Sequence, residues 1–137
     1  PASIDEQQVL DWVSEGVVEW WGHTDDVRDV WARSHIAVLP SYREGLPKSL
    51  LEAAACGRPL VATTVTGCRE VAVEGASALT VPARSAGELA IAIERLAGDA
   101  QLRRTLGANA RALVEREFAV ERVIEETLNV YEQLLSS

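Results

Sequence analysis

Apolar residues fall in two kinds of run along this chain. Val17-Val18-Glu19-Trp20-Trp21, His35-Ile36-Ala37-Val38-Leu39, Pro59-Leu60-Val61-Ala62-Thr63 and Ala78-Leu79-Thr80-Val81-Pro82 are short, continuous and bounded by glycine, proline or polar residues. Such runs predict strands, and the continuous ones predict strands buried on both faces of a parallel sheet. Between them the apolar residues recur every three or four positions, which predicts helices. One covers roughly 4–14, with Ser3 and Glu6 at capping-box spacing and Gly16 at its end; a second covers roughly 25–34, with Val27, Val30 and Trp31 on one face. A third, rich in Ala and Leu, runs from Pro47 to Gly57, and a short helix carries Glu70 in its first turn, where the helix dipole accounts for a carboxylate. Ser85 and Glu88 form a capping box for a fourth long helix, Asp99 caps a fifth over roughly 100–116, and a last helix is expected over 119–135. Strand and helix alternate four times, so the fold class is α/β, a parallel sheet with right-handed crossovers and flanking helices.

The junction at 40–49 is the most informative stretch. A strand, a glycine-containing loop and a helix start follow one another directly through Ser41-Tyr42-Arg43-Glu44-Gly45-Leu46-Pro47-Lys48-Ser49. Pro47 suits a first helical position, because its missing N–H would be unpaired there. The following amides, on Lys48, Ser49 and Leu50, have no partner inside the helix and attract anions; Gly45 removes a side chain that would block close approach. Two carboxylates flank this start, Glu44 in the loop and Glu52 in the helix. A carboxylate offers two acceptor oxygens, which match the paired hydroxyls of a ribose or a hexose. Read that way, a phosphate between two diol readers spells a sugar nucleotide. Read otherwise, Glu52 is a solvated helix residue and Glu44 an ordinary loop charge.

With 137 residues the chain is one domain, large enough for a real core. Its formal charge of -8 and pI near 4.7 argue against nucleic acid as an electrostatic partner. No signal peptide and no apolar run of membrane-spanning length stand out, which reads as a cytoplasmic protein. Cys56 and Cys68 are not a C-x-x-C pair, and neither His23 nor His35 has a partner at metal-ligand spacing, so two packed thiols and no protein-held metal or cofactor are expected. Trp12, Trp20 and Trp21 cluster early and are read as packing residues.

The string from Glu44 through Glu52 to Thr63 resembles the E-x7-E region of retaining glycosyltransferases of the two-domain GT-B type, family 4, also called glycosyl transferases group 1. The resemblance extends upstream through Trp20-Trp21-Gly22-His23-Thr24-Asp25-Asp26-Val27 and downstream through Gly67-Cys68-Arg69-Glu70. It implies a Rossmann-like, partial C-terminal domain, with 1–137 the nucleotide-sugar-binding domain and its first two strands and an acceptor-binding domain lying before residue 1. It also implies roles. Glu44 would hold the transferred sugar as the catalytic-site carboxylate, Glu52 the ribose and the amides near Lys48 and Ser49 the diphosphate, with Gly45, Leu46 and Pro47 also substrate-binding and His23 beside the base or else an exposed loop imidazole. The family usually carries two glycines where this chain has Thr66-Gly67. The local flavour is similar to bacterial transferases that build surface polysaccharide, lipopolysaccharide included, on a lipid carrier. That implies a nucleotide-sugar donor, a UDP-linked N-acetylhexosamine, and a glycan or lipid-linked acceptor reached through the first domain, with membrane association of the full-length protein on the cytoplasmic face. The fragment alone would be inactive. A sugar-nucleotide epimerase of the same fold and a non-catalytic nucleotide-binding or assembly module are the alternatives. In the Rossmann order the strands at 36–39 and 17–21 would each lack a neighbour, so an exposed sheet edge is expected to pair with another copy or to rearrange.

Overall fold

A computed structural model of the chain describes residues 4–119. Three of the expected strands are present: β1 (Ala37–Leu39), β2 (Leu60–Thr63) and β3 (Ala78–Val81). They form one parallel sheet in the order β1-β2-β3, with Ala37 opposite Leu60 and Leu60 opposite Ala78. β2 lies in the middle and all four of its residues are buried, as its unbroken apolar run requires. β1 has a neighbour on one side only among the described residues.

The run at 17–21 is not a strand. Val17, Val18, Trp20 and Trp21 are 68%, 39%, 51% and 44% exposed. Strand propensity measures how well a side chain fits a pleated, half-buried surface, and no neighbouring strand supplies one here. Trp21 finds local partners instead. Its ring lies 4.1 Å from the Arg33 guanidinium and its Nε1 donates to Glu19 at 2.7 Å.

The helices are α1 (Glu6–Ser14), α2 (Val27–Arg33), α3 (Lys48–Ala55), α4 (Ala86–Gly98) and α5 (Ala100–Glu117). Their ends follow the local chemistry. Asp26 accepts from the Arg28 amide at 3.0 Å and Asp99 from the Leu102 amide at 2.8 Å, each capping a helix start. α3 closes on Gly57 at φ 69, with Gly57 N–H on the Ala54 carbonyl and Arg58 N–H on the Ala53 carbonyl. Ser85 opens α4 as expected, but its hydroxyl makes no capping bond. Asp5, next to α1, makes none either, and the Ser3 of the expected capping box lies outside the described residues. The helix expected over 119–135 also lies outside them, from residue 120 onward. The short helix expected to carry Glu70 in its first turn is instead a 3-10 turn at Thr66–Cys68 that ends two residues before Glu70.

Alternation along β2 divides the core. Leu60 and Ala62 face one layer with Ala37, Leu50, Ala53 and Ala54, whereas Val61 faces the other with Leu79, Val81, Ala92 and Leu96. α3 and α5 pack on the first face. They approach closely because α5 presents Gly107 to the turn after α3, where an added Cβ would stand 2.2 Å from the Gly57 carbonyl oxygen. The strand ends all point their following loops to one side of this layer, so three loops meet there.

Candidate functional site

The loop between β1 and α3 carries Glu44, and the end of β2 holds it from beneath. Thr63, 3% exposed, donates its hydroxyl to the Ser41 carbonyl at 2.5 Å. Ser41 in turn donates its own hydroxyl to Glu44 Oε1 at 2.5 Å. Gly67, in the turn after β2, lies so close beneath the loop that a Cβ there would stand 1.5 Å from the Gly45 carbonyl oxygen and 2.5 Å from that of Glu44. The close approach in this turn is therefore at Gly67, and the neighbouring Thr66 is exposed. Glu44 is half-buried, while Gly45 and Leu46 are open to solvent.

Pro47 is the N-cap of α3 and not its first helical residue, and it is buried. Its carbonyl accepts from Leu50 N–H at 3.1 Å and Leu51 N–H at 3.2 Å. Of the three amides expected to be open, that of Leu50 is thereby occupied, because the first turn tightens toward 3-10 geometry. Those of Lys48 and Ser49 have no partner among the described residues. One turn on, Glu52 pairs with Lys48 Nζ at 3.6 Å. The lysine side chain is 88% exposed, so the pair is worth only about 0.3–0.5 kcal/mol and yields readily to a hydrogen-bonding ligand.

His23 is not joined to this cluster by any hydrogen bond or ion pair among the described residues. It sits in the loop before α2, its side chain 90% exposed, with Nε2 3.4 Å from Asp25 Oδ1. Cys68, wholly buried behind the loop, has its thiol pKa pushed up, first by burial and then by the charge of Glu44, against a smaller opposing effect of the Thr63 hydroxyl. In front of Ser41 and Thr63 an open cleft of about 1030 Å³ is lined also by Tyr42, Arg43, Pro82 and Arg84. Arg84 has φ 63, and its guanidinium lies 5.1 Å from the Tyr42 ring centre. No group of three or more metal-ligating side chains occurs among the described residues, and none of their helices is long and apolar enough to cross a membrane.

Sequence reasoning singled out Glu44 and Glu52 but gave Ser41 and Thr63 no role. The available signal was the serine three residues before the loop glutamate, a spacing at which a hydroxyl reaches a carboxylate across a turn.

The sequence model of the family glycosyl transferases group 1 matches residues 2–99. The chain belongs to that family. Among its relatives is the N,N'-diacetylbacillosaminyl-diphospho-undecaprenol alpha-1,3-N-acetylgalactosaminyltransferase of Campylobacter jejuni, 30% identical over 93% of this chain and 34% of that protein. Another is the capsular polysaccharide biosynthesis glycosyltransferase CapM of Staphylococcus aureus, 32% identical over 97% of this chain and 35% of that protein. Among solved structures, HepE of Anabaena in complex with UDP superposes with a TM-score of 0.80 at 26% identity, over 96% of this chain and 35% of HepE. The chain thus spans about a third of the length of these relatives. Its Rossmann-like parallel sheet with flanking helices is the fold that this family membership implies.

Proposed function

We propose that this chain is the donor-binding, C-terminal domain of a retaining glycosyltransferase, and that the whole enzyme moves a sugar from a nucleotide donor to a lipid-linked or glycan acceptor in surface polysaccharide synthesis. One observation carries the reading. The unpartnered amides of Lys48 and Ser49 lie between two half-buried carboxylates, Glu44 on the loop and Glu52 one turn into α3. In this reading the amides and the positive end of α3 bind the donor diphosphate and stabilise the charge that builds on it as the glycosidic bond breaks. Pro47, Gly45 and Leu46 shape the approach. Glu52 accepts from the ribose hydroxyls after displacing Lys48, and Glu44 accepts from hydroxyls of the transferred sugar. His23 lies at the base end.

The two carboxylates serve opposite ends of the donor, so they do not form the pair that flanks one bond in retaining glycosidases. Retention then follows from front-face transfer, in which the departing phosphate takes the acceptor proton. A UDP-linked N-acetylhexosamine is the proposed donor, supported by the UDP bound to HepE and by the N-acetylgalactosaminyl transfer and diphospho-undecaprenol in the name of the Campylobacter relative. The open edge of β1, where Val38 is 39% exposed, supports pairing with a second copy when this chain stands alone.

The test is a calorimetric titration of UDP, GDP and ADP into the full-length protein and its Glu52→Ala variant. UDP is expected to bind preferentially, with a loss of roughly tenfold or more in the variant from the two hydroxyl bonds. No binding of any of the three would retire the donor-site reading in favour of an assembly module.

A further inference from the structure

A glutamate on a loop has three side-chain torsions to settle before it can meet a sugar, and freezing them at the moment of binding weakens the complex. Glu44 does not stand free. Its Oε1 accepts from the Ser41 hydroxyl, the single side-chain hydrogen bond its carboxylate receives among the described residues. Ser41 is itself anchored from below, because the buried Thr63 at the end of β2 donates to its carbonyl. The order runs from a strand in the middle of the sheet, through a buried hydroxyl, to a loop backbone, to a second hydroxyl, to the carboxylate.

We infer that Ser41 is a positioning residue for Glu44, and that Thr63 is the sheet residue that positions Ser41. This rests on the donor-site reading of Glu44. A carboxylate has about four lone-pair sites, so the serine bond takes one and leaves the other oxygen entirely open to a sugar hydroxyl. The serine bond also selects a rotamer. With Oε1 tied back to the start of the loop, Oε2 has one direction left, and the carboxylate meets the sugar already oriented. The serine therefore governs recognition of the sugar and not of the nucleotide, whose contacts lie along α3. Ser41 and Thr63 both face the cleft at the ends of the strands, so neither is merely filling the core.

The measurement is the ratio of two dissociation constants in the full-length protein: UDP against UDP-N-acetylglucosamine and UDP-N-acetylgalactosamine. Wild type is compared with Glu44→Ala, Ser41→Ala, Ser41→Thr and Thr63→Val. Glu44→Ala is expected to shift the ratio through loss of the sugar contacts. Ser41→Ala is expected to shift it the same way by up to about tenfold, the size of ordering one rotamer-rich side chain at the moment of binding, with the UDP constant unchanged. Ser41→Thr, which keeps the hydroxyl, restores the wild-type ratio, and Thr63→Val shifts it by less than Ser41→Ala. A shift with Glu44→Ala and none with Ser41→Ala would overturn the positioning role while leaving the donor site intact. UDP weakening in step with the UDP-sugar in Ser41→Ala would overturn it too, by showing a loop collapse. No shift with Glu44→Ala would remove the donor-site reading of Glu44 and this inference with it. Should Ser41→Ala fail to fold, Thr63→Val stands in its place, and an unchanged ratio there refutes the inference.

Discussion

Replacing Gly67 by alanine tests how tightly the Glu44 loop is held. A Cβ at 67 would lie 1.5 Å from the Gly45 carbonyl oxygen, and real Cβ atoms essentially never approach other heavy atoms within 3.0 Å. The loop or the turn must therefore yield by at least about 1.5 Å, the difference of those two distances. The obstacle is backbone, so no side-chain rotation relieves it. The loop has little freedom to retreat, since the Thr63–Ser41 bond pins one end and buried Pro47 the other. Overpacking of this kind costs about 1–3 kcal/mol, which lowers the melting temperature of a chain this size by about 3–10 °C. Displacing Glu44 by 1 Å or more is expected to reduce sugar transfer by the full-length enzyme about a hundredfold. Circular-dichroism melts read the first quantity and a transfer assay the second. Gly45→Ala is the stability control, because nothing lies within 4 Å of its added Cβ; it should stay within about 0.5 kcal/mol of wild type. A Gly67→Ala protein with wild-type melting and wild-type transfer would refute the packing argument.

Three further outcomes follow from the buried thiol and the open edge. Cys68 is buried and Cys56 half-buried, so a maleimide at neutral pH should label Cys56 in the native chain and Cys68 only after denaturation; equal rates would contradict the packing. The folded state also holds the Cys68 proton more tightly than the unfolded state. Its contribution to stability is full below the ordinary thiol value of 9.0 and is lost as pH rises from there through the higher folded value, so the gap between wild type and Cys68→Ala should shrink above pH 9; a constant gap would argue against it. Light scattering should show dimers or larger species of this chain at high concentration, relieved by Val38→Lys on the edge strand. A clean monomer would remove the pairing proposal.

The layered fold was legible because its signals are local. Three apolar runs became β1, β2 and β3 within a residue or two of their expected ends, and Gly57 and Asp99 stopped and started helices through their own backbone and side-chain chemistry. The run at 17–21 misled because valine and tryptophan specify a surface to pack on, and no described strand offers them one. At the site, residue types picked out two candidate carboxylates, whereas the arrangement around them depends on contacts across 22 residues or more, as between Thr63 and Ser41. Pattern cannot report such contacts. Nor could it foresee that the Pro47 carbonyl would take the Leu50 amide, a choice between two hydrogen-bond geometries within one turn.

The bond from Thr63 to Ser41 has a bearing on how the sheet assembles. β1 is three residues long and lies at an edge, so its own ladder to β2 offers few bonds with which to choose an alignment. Sliding it by one residue would carry the chain about 3.3 Å along β2 and exchange the faces of Ala37 and Val38. The same slip would draw the Ser41 carbonyl away from Thr63 and pull the Glu44 and Gly45 carbonyls off the one position, Gly67, that has room for them. A misaligned sheet therefore cannot also close its loop. The atoms that hold the Glu44 loop act as a key for the strand that precedes it, so an error of alignment at this edge also costs the contacts of the loop that follows.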